Sequence, residues 1–214
     1  MIKVAPSLLA ADYTRMGEEI RRMAEAGADI LHFDVMDGVF VPNISFGPGM
    51  AKACSGFGMP LDVHLMIVEP HKYLKAFAEA KPAYISIHLE ASADVARDLA
   101  AIRELGAGAG LAISPDTPVE AVRPYLGQFD LLVIMSVYPG FGGQKYIERC
   151  TDKIAEAAAM LREAGVEAPI EVDGGINEDT GARAVLAGAT MLVAGSAMFR
   201  AADAGALCRA LQHL

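Results

Sequence analysis

Cysteine is scarce in this chain: Cys54, Cys150 and Cys208 are the only three. They are an odd number, far apart, and in none of the spacings that bind a metal, so reduced thiols in or near helices are expected, which points to a cytoplasmic protein. Basic residues are the minority, 18 Lys and Arg against 27 Asp and Glu, for a net charge of −9. That balance argues against broad nucleic-acid binding, because a phosphate backbone needs a basic surface. An anionic ligand would have to be held at one local site. No window of about 18 consecutive apolar residues is free of charge, so no membrane-spanning helix is expected. The opening "MIKVAPSLLAADY" has one lysine and only a short apolar run, so no secretory signal is expected. No Ser- or Pro-rich linker divides the chain. With 53% hydrophobic and 21% charged residues among 214, one globular domain over residues 1–214 is expected.

What the chain does contain is an alternation of short apolar runs with longer amphipathic ones. Strands are expected at Lys3–Ser7, Ile30–Val35, Leu61–Met66, Tyr84–His88, Gly108–Ile113, Leu131–Met135, Ile170–Asp173 and Met191–Ala194. Helices with apolar positions three and four apart are clearest at Met16–Ala26, Ala93–Glu104, Ile147–Ala164 and Asp179–Ala187. In "EAGAD", "ELGAG", "EAGVE" and "LAGAT" a glycine stands where a helix should stop, so Gly27, Gly106, Gly165 and Gly188 are expected as left-handed C-caps. After the second strand, Gly47, Pro48 and Gly49 interrupt the helical pattern. Eight strand–helix units in so short a chain favour a single α/β closed barrel, the (β/α)8 TIM barrel, over an open doubly wound sheet.

The second strand carries an anomaly. A buried parallel strand normally reads as an uncharged apolar run, yet "ILHFDVMDG" contains a histidine and two acids. His32 and Asp34 are two apart and project from one face. In a (β/α)8 barrel chemistry gathers at the C-terminal ends of strands. His32 and Asp34 from the second strand, His64 from the third ("LDVHLM") and Asp173 from the seventh ("IEVDGG") would therefore meet on one rim. Two imidazoles and two carboxylates suit one divalent cation, with zinc, iron(II), manganese and cobalt all compatible.

A second constellation is glycine. "YPGFGGQ" (138–144), "DGGI" (173–176) and "AGSA" (194–197) follow the last three strands, and the third opens a short helix. Glycine lets backbone N–H groups approach a ligand closely, and barrels commonly hold phosphate in the loops after strands seven and eight. Ser7 can donate a hydrogen bond into the rim. Met36, Met66 and Met135 at strand ends read either as core packing or as a water-excluding wall. Asp37 with Gly38 reads as a turn. His88 and Glu90 read as outer support of the rim, Asp62 and Glu171 as deeper buried partners, and His71 and His213 as surface residues.

Read together and in order, "APSLLAAD", "LHFDVMDGVFVPNISFGP", "LDVHLMIVEP", "HLEA", "PGFGGQK", "EVDGGIN" and "VAGSAMF" resemble a ribulose-phosphate 3-epimerase over essentially the whole chain. The resemblance implies an isomerase that interconverts D-ribulose 5-phosphate and D-xylulose 5-phosphate in the pentose phosphate pathway. It implies that His32, Asp34, His64 and Asp173 hold one divalent metal ion, that Asp34 accepts the proton and that Asp173 donates one. It implies substrate contacts from Ser7, His64, Gly140, Phe141, Gly142, Gly143, Asp173, Gly174, Gly175, Gly195 and Ser196. Inverting a carbon beside a carbonyl through an enediolate calls for two acids on opposite faces, and two carboxylates from distant strands supply them. Tyr138 and Ser114 stand where the family often has Asn, which bears on substrate preference. The rival readings are an epimerase of D-allulose 6-phosphate and a non-catalytic barrel that binds a phosphorylated sugar. A lyase or decarboxylase is disfavoured, because no expected strand end offers a lysine apart from Lys3. Barrels of this size often self-associate, so a homo-oligomer is expected.

Overall fold

The computed structural model describes residues Met1–Leu214. Eight strands form one parallel sheet: β1 (Lys3–Ala5), β2 (Leu31–Met36), β3 (Leu61–Met66), β4 (Tyr84–His88), β5 (Gly108–Ile113), β6 (Leu131–Met135), β7 (Ile170–Asp173) and β8 (Met191–Val193). From β2 to β8 each strand pairs with the next in sequence, and β1 pairs with β8. A parallel bridge between Ser7 and His32 joins the first two strands. The N–H of Asp29 donates to the Val4 carbonyl and that of His32 to the Pro6 carbonyl, which closes the ring. The chain is thus a (β/α)8 TIM barrel.

Eight α-helices surround the sheet: α1 (Met16–Glu25), α2 (Pro48–Ser55), α3 (Leu74–Ala78), α4 (Val95–Glu104), α5 (Cys150–Glu163), α6 (Glu178–Ala187), α7 (Ser196–Arg200) and α8 (Ala204–Gln212). Gly27, Gly106, Gly165 and Gly188 all have positive φ just past helix ends, as expected of C-caps. None of these helices is long and apolar enough to cross a membrane.

Three local differences from the sequence reading have simple causes. β1 stops at Ala5 rather than Ser7, because Pro6 has no N–H to donate to the ladder. The interrupted pattern after β2 does form a helix, with Pro48 at its first position, where a missing N–H costs nothing. Between β5 and β6 the crossover is a 3₁₀ helix, Val119–Tyr125, with Pro124 inside it in place of an α-helix.

Side chains alternate across each strand. Those facing outward (Val4, Phe33, Val63, Ile85, Leu111, Leu132, Val172 and Leu192) join a 47-residue core with the inner faces of the helices. Those facing inward include Ala5, Ala112, Leu131, Val133, Met135, Met191 and Val193, which pack as a separate apolar group on one side of the barrel axis. The other buried inward-facing side chains are polar: His32, Asp34, Asp62, His64, Ser86 and His88 from β2, β3 and β4, with Glu171 from β7. Register explains this: His32 lies opposite Asp62 and Asp34 opposite His64 between β2 and β3.

Candidate active site

The four residues singled out as a metal set do meet. His32 Nε2, His64 Nδ1 and one oxygen each of Asp34 and Asp173 all lie within 4.8 Å of one another. His32 Nε2 is 3.3 Å from Asp34 Oδ1 and 3.7 Å from Asp173 Oδ2. His64 Nδ1 is 3.3 Å from Asp34 Oδ1, 3.6 Å from Asp173 Oδ2 and 3.3 Å from His32 Nε2. Four donors around one ion at the usual ~2.1 Å would stand about 3.4 Å apart in a tetrahedron. The measured spacings bracket that value, so this donor set fits a single divalent cation in size and chemistry.

Both imidazoles are fully buried, while the Asp173 side chain is 14% exposed and faces the cavity above. β2 and β7 are separated around the ring by β1 and β8, so Asp34 and Asp173 approach the centre from different directions. Ser7 fulfils its expected place: its Oγ donates to Asp34 Oδ2 at 2.5 Å.

The surroundings bias the charges. Burial resists ionisation of Asp34, but the His32 charge and hydrogen bonds from His32 and His64 outweigh it and hold the carboxyl well below the usual range. Burial likewise disfavours the His32 imidazolium, yet Asp34, Glu171 and Asp62 raise its proton affinity well above the ordinary value. His64 is also raised: burial opposes this, but Asp173 and Asp34 hydrogen-bond its charged form. This concentration of negative charge favours a cation. One layer deeper, His32 Nδ1 donates to Asp62 Oδ2 at 2.6 Å. Glu171 is pushed well above the ordinary carboxyl value, first by burial and then by the Asp62 charge. Both residues are the buried partners expected from their parity.

A cavity of about 530 Å³ opens above the cluster. Ser7, Gly140, Phe141, Gly142, Gly143, Gly174, Gly175, Gly195 and Ser196 all line it, together with Asp34 and Asp173. His32 and His64 lie beneath it. Gly174 has φ +125° and a Cβ there would meet the Val137 side chain at 2.5 Å. Gly175 has φ +65° and its Cβ would lie 2.4 Å from the Tyr146 backbone nitrogen. Only glycine fits either position. Met36, Met66 and Met135 are both buried and part of the cavity wall, so the two readings of these methionines coincide. Gln144 Nε2 donates to the Tyr138 and Phe141 carbonyls, at 2.7 and 2.8 Å, and Asn43 Nδ2 donates to the Gly140 carbonyl at 2.8 Å. These bonds shape the 140–143 loop from both sides.

Asp37 is the turn residue expected: it accepts the N–H groups of Val39, Phe40 and Val68. Tyr138 lines the cavity, with its hydroxyl donating to Asp116. Ser114 stays outside the cavity; its N–H donates to Glu90 at 2.8 Å. Lys145 and Arg200, which the sequence reading passed over, also line the cavity. Both are exposed, and neither has a carboxylate partner within 4.0 Å. The one signal for them was position: Lys145 follows the "GFGGQ" loop, and Arg200 ends the short helix after "AGSA".

Comparison with known proteins places this geometry. The family model described as "Ribulose-phosphate 3 epimerase family" matches residues 3–199. A ribulose-phosphate 3-epimerase of Bacillus subtilis is 46% identical over 205 residues, covering 95% of this chain and 94% of that protein. One from Synechocystis is 49% identical over 203 residues, covering 94% and 88%. Among solved structures, 3-hexulose-6-phosphate synthase from Salmonella typhimurium aligns with a TM-score of 0.68 over 100% of this chain and 97% of that one, at 17% identity, which shows a shared fold.

Proposed function

This chain belongs to the ribulose-phosphate 3-epimerase family, and on that premise we propose that it is an isomerase interconverting D-ribulose 5-phosphate and D-xylulose 5-phosphate. The observation that carries the reading is the meeting of Asp34 and Asp173, from strands on different parts of the ring, at the floor of a glycine-lined cavity.

Epimerisation at C3 removes a proton from one face of the carbon and returns one to the other. Asp34, kept ionised by its histidine neighbours, is suited to accept the C3 proton. Asp173, reaching the cavity from β7, is suited to deliver one from the opposite side. The two exchange roles when the reaction runs in reverse. Ser7 Oγ–H holds Asp34 Oδ2 in place, which leaves Oδ1 turned toward the imidazoles. Met36, Met66 and Met135 keep water from the floor, where stray protonation would compete. His32, Asp34, His64 and Asp173 would hold one divalent cation, with zinc, iron(II), manganese and cobalt all suited to the nitrogen–oxygen set. When bound, such an ion supplies positive charge that stabilises the enediolate oxygens.

The phosphate end of the sugar belongs at the other end of the cavity. There Gly142, Gly143, Gly174, Gly175, Gly195 and Ser196 bring backbone N–H groups close to a ligand. Cytoplasmic residence and self-association remain part of this reading, through the reduced cysteines and the size of the barrel.

Turnover of D-ribulose 5-phosphate in D2O, followed both as D-xylulose 5-phosphate and as deuterium at C3, tests the proposal. Asp34→Asn and Asp173→Asn should each lower epimerisation by about 10²–10⁴-fold. Faster turnover of D-allulose 6-phosphate would move the assignment to the six-carbon sugar. No C3 exchange with either sugar would leave a binding protein.

A further inference from the structure

Each histidine of the cluster turns one ring nitrogen toward the centre and one away, and the two that turn away differ. His32 faces inward with Nε2, and its Nδ1 meets the Asp62 carboxylate at 2.6 Å. His64 faces inward with Nδ1, and its Nε2 lies 2.9 Å from Nε2 of a third imidazole, His88. His88 Nδ1 in turn lies 3.1 Å from Glu90 Oε2. His88 is completely buried on β4, packed against Phe40 at 4.9 Å between ring centroids. Glu90 is anchored by its other oxygen, which accepts the Ser114 N–H at 2.8 Å and the Thr117 hydroxyl.

With a cation held at the centre, one arrangement of protons satisfies this row. An inward lone pair on His64 Nδ1 puts the ring proton on Nε2. His88 Nε2 must then accept it, so the His88 proton sits on Nδ1 and is donated to Glu90 Oε2, whose carboxylate, when ionised, can only accept. Every ring nitrogen in the row acquires a partner, and the direction is set by the carboxylate at its far end.

We propose that His88 and Glu90 are positioning residues for His64, a two-membered relay that fixes its tautomer and aims its Nδ1 lone pair at the metal centre. The inference rests on the metal reading above. Asp62 does the same for His32 in a single contact. The relay also ties this ligand to the loop after β5, through Ser114 and Thr117, so the aim of His64 depends on a loop that never touches the cavity. Without an acceptor at position 88, nothing favours the proton on Nε2 over Nδ1, and a proton on Nδ1 blocks coordination.

The test loads the metal-free full chain with Co(II), reading the dissociation constant and the visible absorption band. His88→Phe keeps a ring of similar size but removes the acceptor. It should weaken Co(II) binding by roughly 10–100-fold and alter the band. His88→Gln, whose amide oxygen can accept the same N–H, should recover most of the loss. Glu90→Ala should weaken binding in the same direction. Circular dichroism of the metal-free variants reports whether they fold, and if His88→Phe does not, the Glu90→Ala result decides. Unchanged affinity and band in the folded variants, or equal impairment in His88→Phe and His88→Gln, would overturn the proposal. Failure of the metal reading itself looks different: the unsubstituted chain would then take up no Co(II).

Discussion

Ser7 Oγ and Asp34 Oδ2 stand 2.5 Å apart across the seam where the barrel closes between β1 and β2. A hydroxyl donating to a buried carboxylate is among the stronger neutral-to-charged hydrogen bonds. It occupies one oxygen of Asp34, while the other faces both imidazoles. Ser7→Ala should therefore lower kcat for D-ribulose 5-phosphate by about 10-fold or more, in line with ~1.5–3 kcal/mol for a bond to a charged group. Steady-state kinetics at saturating substrate would read it, and an unchanged kcat would show that Asp34 needs no such anchor.

Protons and a cation should compete for the two buried histidines. Both His32 and His64 have raised proton affinity, so their protonated forms persist above the ordinary histidine value and are lost only at higher pH. A cation must displace those protons, so its affinity should fall as the pH is lowered through neutrality. Titration with Zn(II) or Mn(II) at about pH 8 and about pH 6 should give clearly weaker binding at the lower value. Chelation should abolish turnover and re-addition of the ion restore it. Affinity independent of pH would contradict the histidine ligands.

Lys145 and Arg200 are cations on the cavity wall of a protein that is otherwise strongly acidic. The one acid beside them on that wall outside the metal set, Glu148, is already held by Arg183. The pair should attract the phosphate dianion, so replacing both with alanine should raise KM about 10-fold with little change in kcat. It should also flatten the fall of kcat/KM with added salt. A salt dependence equal to that of the unsubstituted chain would count against them.

Gly175→Ala should be costly to fold. Its φ is +65° and the added methyl would press on the Tyr146 backbone, which cannot swing aside as a side chain could. A loss of about 1–3 kcal/mol is expected in urea unfolding. Because the loop lines the cavity, a higher KM should accompany it. Wild-type stability would mean that the loop relaxes without loss.

Much of this architecture could be read along the chain. Strands β3 to β7 run over the residues expected at both ends, because apolar runs bounded by glycine-capped helices are a local signal. The parity of His32 with Asp34, and of Asp62 with His64, was equally local: alternate residues of a strand share a face. The errors arose where one residue overrides a pattern, as Pro6 does in ending β1 and Pro124 in the 3₁₀ crossover. Lys145 and Arg200 escaped notice because a lone basic residue in a loop or a short helix carries no periodic signal.

Along the chain alone one reads where strands β3 to β7 run, which strand faces carry the polar residues, and which glycines end helices. Only the tertiary structure decided which atoms meet. Inter-strand register sets Asp62 opposite His32, and the folded barrel brings His88, two residues beyond the Ser86 that faces His64, to the outer nitrogen of that ring. The reason is physical: alternation along a strand is a property of neighbouring residues, whereas the contact of a side chain on β2 with one on β7 exists only once the sheet has curved through a full circle and closed.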